Sequence, residues 1–427
     1  MELIVKNFGP IKTAQIRTKR YNVLIGNTST GKSVIAKLIS IAYDYEFLSI
    51  KDGDFASFYS RLKEYEIDYA FHEDTIIVIK WLGVTWNIQK ERFSIDNPFY
   101  KPFFSQDISI SNYLDFWKEI NKHLIDQDKV IDKNNVDDEL QLAIEKARDD
   151  FFARIRNGQM PKLEETTQFE KDYIFYNFLA SVYGLYASVY IPAERNLMSI
   201  FINNIFTLLK SNYNIPESVK RFGSLFERAK GENKQLSLDF AKINIDFADE
   251  SHPITIANEG TKIRFEQASS GLQSLIPLWT VFLHGIHEYS YGTVIIEEPE
   301  LNLFPTLQVD LLYNLITQLN QTDANLLLTT HSPYILSVLD NLIFASDIYK
   351  KAKDKNAVEL IKRLEDTIPP IMMIHYEDVA AYHCKDDGEV CLMNDDEMRN
   401  TGAYALDSAS SFNSHIFNQL IEIDNEL

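Results

Sequence analysis

Apolar and polar residues alternate through the first 25 positions in three short runs, ELIVKNF, TAQIRTK and YNVLI, the first two separated by Gly9-Pro10. Period-two alternation bounded by turn residues predicts strands. The period then changes. In SVIAKLISIAYDY, from Ser33, apolar positions fall three and four apart, which predicts a helix. Alternation returns in DTIIVIKWLGVTWNIQ (74–89), which reads as a hairpin turning near Gly83.

From about residue 97 helical spacing takes over. Val136, Leu140, Ile144, Ala147, Phe151 and Ile155 step along one face, with Asn135 as N-cap and Gly158 as the stop. At about 20 residues, roughly 30 Å, that helix is too short for a long coiled-coil arm. Further helices are predicted at 168–187 and 196–211, split by the strand-like VYIPAERN (189–196). Alternation resumes in LSLDFAKINIDF (236–247) and continues to KIRFEQ. TVIIEE (293–298) and NLLLTT (325–330) are short apolar runs of the kind that fill a parallel sheet, and they flank the helical LQVDLLYNLITQL. The order of strands, helices and strands again predicts one discontinuous α/β domain, residues 1–96 and 240–427, interrupted by a mostly helical insertion, 97–239.

Composition adds exclusions. With 45% hydrophobic and 24% charged residues and no apolar run of membrane-spanning length, neither disorder nor a membrane role is indicated, and a cytoplasmic location is the default. Two cysteines, Cys384 and Cys391, exclude a disulfide framework; with His383 they straddle Asp387-Gly388, but three soft ligands without a fourth do not make a zinc site. The net charge of −20 disfavours a protein that coats nucleic acid with most of its surface, yet leaves a local basic groove open. From Leu364 onward 14 acidic residues face two basic ones, a solvated acidic face or a dock for a basic partner.

The chemistry concentrates in a few stretches. GNTSTGKS, comprising Gly26, Asn27, Thr28, Ser29, Thr30, Gly31, Lys32 and Ser33, fits G-x-x-x-x-G-K-[ST] between a strand and a helix. Such a loop curls backbone N–H groups around phosphate oxygens, offers Lys32 to the β/γ-phosphates and Ser33 to Mg²⁺, and places a helix N-terminus behind the anion. Hydrolysis needs carboxylates at another strand end, and TVIIEE supplies Glu297 toward Mg²⁺ and Glu298 toward the attacking water. NLLLTT ends at His331, where a polar group contacting the γ-phosphate belongs. Glu194 and Arg195 read as a structural ion pair, with a phosphate-facing arginine as the alternative.

In chain order GNTSTGKS, SSGLQ, VIIEEPELNLFP and TTHSPYIL resemble the phosphate loop, signature, Walker B with D-loop, and His-switch of ABC-type ATPases, in the AAA15/OLD branch related to Rad50, SMC and RecF heads. KNFGPI, YIPAERN and the Tyr-rich C-terminal hairpin resemble that branch too. The resemblance implies an ABC-type head that hydrolyses ATP with Mg²⁺ and pairs head to head as a homodimer or larger oligomer. In that arrangement Ser270, Gly271 and Gln273 of one copy close the nucleotide held by the other. Glu297 stands where many ABC proteins have Asp, Phe304 takes the place of the D-loop acid, and Gln89 is a candidate Q-loop residue. OLD nucleases continue into a metal-nuclease domain, whose strand-borne Glu and Asp-x-Asp are not found after His331. The chain thus resembles ATPase subunits of antiphage systems such as Septu and PARIS, which answer a phage-derived trigger and control a separate effector, a nuclease or toxin. A DNA repair or recombination ATPase of the RecF kind is the alternative, and the helical insertion is the expected partner-binding part.

Overall fold

The computed structural model describes residues 1–48, 50–81, 84–96, 188–201, 215–247, 254–258, 261–287 and 292–402. The helices expected at 135–158 and 168–187, and most of that at 196–211, lie outside the described residues. Strands β1 (Glu2–Phe8), β2 (Ile11–Arg17) and β3 (Tyr21–Gly26) lead into helix α1 (Lys32–Ala42), followed by α2 (Tyr45–Leu48) and α3 (Phe55–Glu64). Strands β4 (Ile76–Trp81), β5 (Val84–Gln89) and β6 (Arg92–Asp96) form an antiparallel meander on β1. Lys90 and Glu91 both take left-handed φ (50° and 56°), the geometry of a two-residue type I′ turn, and so make β6 a strand the alternation did not predict.

Further along come β7 (Ser188–Ile191), α4 (Glu217–Glu232), β8 (Gln235–Leu238), β9 (Ile243–Asp246), β10 (Thr255–Asn258), β11 (Thr261–Arg264) and α5 (Ser270–His287). The chain ends its described part with β12 (Thr293–Glu297), α6 (Pro305–Leu319), β13 (Asn325–Thr330), α7 (Pro333–Asp354), α8 (Val358–Thr367) and the hairpin β14 (Val379–Cys384) and β15 (Glu389–Leu392).

Among the described residues eleven strands make one sheet in the order β6-β5-β4-β1-β2-β15-β14-β3-β13-β12-β7. Strands β14, β3, β13, β12 and β7 pair in parallel, as do β2 and β15, and the remaining neighbours pair antiparallel. The parallel strands carry continuous apolar runs because both faces are covered. Val23, Ile25, Val294, Ile296, Leu326 and Leu328 face the core built with α5, α6 and α7, while Leu24, Ile295 and Leu327 face the core built with α1 and β1. Strand β7 corrects the expected boundaries: residues 188–191, inside the span read as helical insertion, are an integral strand beside β12. Alternation through KIRFEQ also stops early, at Arg264, where Phe265–Gln267 turn as a 3-10 helix. The smaller sheet, β11-β10-β9-β8, is antiparallel and packs its apolar face on the first core, Phe240 meeting Trp279 edge-on at 5.1 Å. No helix among the described residues is long and apolar enough to cross a membrane.

Candidate nucleotide-binding site

Strands β3, β12 and β13 are parallel and in register, so their C-terminal ends come together: Ile25 pairs with Thr330, and Thr329 with Glu297. That edge of an open α/β sheet is where chain ends, loops and helix N-termini converge on ligands. The loop Gly26–Ser33 leaves β3 here and curls through left-handed φ at Ser29 (65°) and Gly31 (92°) before α1 begins. Asn27, Thr28 and Ser29 are exposed, while Thr30 turns inward and donates its hydroxyl to the Asn27 carbonyl at 2.8 Å. Gly26 is forced by packing, since a Cβ would fall 2.2 Å from the Cys384 carbonyl oxygen of the adjacent β14. The hairpin also grips the loop, Asn27 Nδ2 donating to both carboxylate oxygens of Asp386 at 3.0 Å.

Lys32 is buried under the loop and its Nζ donates to the carbonyls of Gly26 (2.9 Å) and Asn27 (2.6 Å). Burial lowers its pKa, opposed by the Cys384 thiol and by Glu298, Glu300 and Glu297 nearby. Glu297, at the end of β12, is 4% exposed, and burial pushes its carboxyl up, while Tyr190, Lys37 and the Ser33 hydroxyl favour the ionised form. Neither Glu297 Oε1 nor the Tyr190 hydroxyl makes a hydrogen bond of normal geometry. A buried, unpartnered carboxylate oxygen beside a serine hydroxyl is an all-oxygen donor set of the kind Mg²⁺ takes, so these residues fit that ion.

In a continuing strand Glu297 and Glu298 would point to opposite faces. Glu298 instead takes φ 42°, ending the strand, and its N–H donates to the Thr329 carbonyl at 2.9 Å. Its carboxylate then lies 3.2 Å from His331 Nε2, both side chains about one-third exposed. Glu300, which sequence reasoning passed over, fixes the turn below: its Oε1 accepts from Thr330 Oγ1 (2.6 Å) and from the His331 N–H (2.8 Å). The acidic run EEPE offered that signal without saying which member faces inward.

Ser270, exposed, is the first residue of α5, and Gly271 follows it. Gln273 departs from the phosphate-facing role expected of it. Its Nε2 donates to the carbonyls of Glu266 and Ala268, both at 3.1 Å, and its Oε1 accepts from Ser199 Oγ at 3.2 Å, so the amide holds the loop before α5. Gln89 is the last residue of β5, and five strands lie between β5 and β3 in the sheet order. The expected Glu194–Arg195 ion pair does not form: Glu194 is exposed, and the buried Arg195 donates to main-chain carbonyls, those of Pro192 (3.0 Å), Glu297 (2.6 Å) and Glu298 (2.6 Å).

Residues 1–194 and 191–336 match the family described as AAA ATPase domain, AAA_15. The chain belongs to that family. It is an ATPase, with a mixed α/β fold of one large sheet and covering helices. No curated protein matches this AAA_15 ATPase. Among solved structures it is similar to the SMC head domain from Thermotoga maritima, 12% identical over 79% of this chain and 90% of that one, with a TM-score of 0.34. The Smc head domain with an extended coiled coil bound to the C-terminal domain of ScpA, from Pyrococcus furiosus, is 11% identical over 97% of this chain and 98% of that one, TM-score 0.32. An SmcHead bound to the C-winged helix domain of ScpA is 12% identical over 79% and 91%, TM-score 0.31.

Proposed function

We propose that this ATPase binds Mg-ATP between two copies of itself and hydrolyses it with Glu298 as the group that orients and deprotonates the attacking water. The observation that carries the reading is the exposure of Ser270 on the first turn of an 18-residue helix, in a chain that has its own phosphate loop, paired glutamates and His331. A helix N-terminus carries unpaired N–H groups and a partial positive charge, so Ser270 and the Gly271 amide suit a phosphate offered from outside the chain. Within the chain Lys32 meets the β/γ-phosphates and Glu298 takes the water's proton, with His331 at 3.2 Å fixing the carboxylate. Ser33 and Glu297 would hold Mg²⁺, which when bound neutralises charge on the phosphate oxygens.

ATP then acts as interfacial glue and hydrolysis as release. Light scattering with and without Mg-ATP tests this. Glu298→Gln should accumulate an ATP-dependent dimer, whereas Lys32→Ala should give none, and Ser270→Arg should bind ATP yet stay monomeric. A Ser270→Arg protein that still pairs would overturn the shared site.

The motif set GNTSTGKS, SSGLQ, VIIEEPELNLFP and TTHSPYIL further supports a regulatory ATPase of an antiphage defence system that controls a separate effector. Plating efficiency of phage on cells carrying the wild-type locus or Lys32→Ala tests it, with equal plating the result against it. A DNA-clamping repair ATPase is the second reading. One feature favours it: Lys350, Lys351, Lys353, Lys355, Lys362 and Arg363 are all exposed along α7 and α8, in a chain whose net charge is −20. That reading requires duplex DNA to stimulate hydrolysis with steep salt dependence.

A further inference from the structure

Arg195 is fully buried and donates to the carbonyls of both glutamates at the end of β12. The reason starts in the sequence YIPAER. Strands β7 and β12 pair in parallel as far as Ile191 and Ile296. The next residue on β7, Pro192, has no N–H, so it cannot extend the ladder along β12. The chain folds into a 3-10 turn over Ala193–Leu197, which brings Arg195 back beneath the strand end. Its Nη1 donates to Pro192 O and Glu297 O, and its Nη2 to Glu298 O.

Glu298 needs such support. A non-glycine residue at φ 42° is strained and persists where the surrounding structure holds it. Thr329 O accepts its N–H at 2.9 Å, and Arg195 Nη2 takes its carbonyl at 2.6 Å. With both pinned, the carboxylate is delivered to His331 at 3.2 Å, while Glu297 stays buried on the other side. The planar fork spreads its donors over two nitrogens, Nη1 serving Pro192 O and Glu297 O and Nη2 serving Glu298 O, and an ammonium would have to serve all three carbonyls from a single nitrogen on a flexible stem.

We propose that Arg195 is a positioning residue of the hydrolytic centre, setting the reversal at Glu298 that aims the water-activating carboxylate. This rests on Glu298 being that carboxylate. Arg195→Lys keeps the charge and loses the fork, and Arg195→Gln keeps two donors on one nitrogen and loses the charge. Steady-state hydrolysis, mant-ATP binding and melting temperature are measured for each, alone and combined with Glu298→Gln. The expected result is a kcat lower by on the order of 10 to 100-fold, as small misplacements of reacting groups produce, with KM and mant-ATP affinity within about twofold, and no further loss of turnover in the Glu298→Gln background. Equal losses in both backgrounds, a KM that rises in step with the fall in kcat, or failure of both variants to fold would assign Arg195 to the scaffold and overturn the proposal. If instead Glu298→Gln alone turns over at the wild-type rate, the assignment of Glu298 fails, and that outcome is read without any Arg195 variant.

Discussion

Gly271 is pressed against Asn302: a Cβ at position 271 would lie 2.8 Å from the Asn302 carbonyl oxygen and 3.4 Å from Leu303 Cδ2. Asn302 itself takes a left-handed φ of 63°. The helix that presents Ser270 therefore rests directly on the turn that follows Glu298, within one chain. Thr330, His331 and Glu300 continue the contact to the other strand end.

Gly271→Ala is the direct probe of this contact. The methyl must displace the Asn302–Leu303 main chain, and overpacking of this kind costs about 1–3 kcal/mol. Scanning calorimetry should show a lower melting temperature, and ATP-dependent pairing should weaken while monomer binding of mant-ATP, which uses the loop after β3, is unchanged. Loss of nucleotide binding together with pairing would place the glycine in a different role.

Glu298→Gln keeps the shape of the side chain and its contact with His331 but cannot accept a proton. Single-turnover hydrolysis should drop by at least about 100-fold, the scale of general-base catalysis, with ATP affinity kept or raised. Rapid turnover in this variant would move the base elsewhere, Glu300 being the nearest other acid in the turn.

Two arginines share three carboxylates where α4 meets the segment between α1 and α3. Arg61, 5% exposed, bonds Asp44, Glu46 and Glu64, and Arg221, 38% exposed, reaches Asp44 at 3.0 Å and Glu64 at 3.1 Å. Removing Arg61 takes a buried cation from three acids of which Asp44 is the least exposed, so Arg61→Met should cost about 2–3 kcal/mol, discounted from the fully buried case because Glu46 and Glu64 stay wet. Arg221→Met, on the solvent side, should cost below about 1 kcal/mol. Denaturant midpoints decide the order.

Glu2 ties three strands. Its carboxylate accepts from Gln15 (2.7 Å) and Arg17 (3.1 Å) on β2 and pairs with Lys80 (3.2 Å) on β4, and these bonds, Gln15 foremost, hold its pKa down at about 2. An unfolded glutamate titrates near about 4.3. The folded value lies below the unfolded one, so the stabilisation is present above the unfolded pKa and is lost as pH falls from there toward 2. Glu2→Gln should lower the melting temperature slightly at pH 6 and converge on wild type toward pH 2. A constant difference across that range would remove titration from the account.

The phosphate loop was legible because its signal is local: Gly26 to Ser33, an apolar strand before and a helical period after are all neighbours in sequence. The parallel strands β12 and β13 were legible for the same reason, as apolar runs too short for helices. Less legible was β7, because VYI is only a few residues long and sits between helical patterns; what makes it a strand is β12 beside it. The partners of Arg195 were invisible, since a guanidinium that bonds main-chain carbonyls leaves no complementary residue type to notice, and Glu194 next to it suggested an ion pair that does not form.

The amino-acid order alone determined the elements and the chemical inventory: where the chain alternates, where it turns helical, and that one loop, a Ser-Ser-Gly, two glutamates and a histidine occur in that order. Only the tertiary structure decided their use. Register across β3, β13 and β12 brought three strand ends together, Gln273 turned inward, and Glu300 and Arg195 became the struts beneath Glu298. The physical reason is range: periodicity and turn chemistry act over a few residues, whereas hydrogen bonds to main-chain carbonyls and the room for one Cβ depend on segments far apart in sequence.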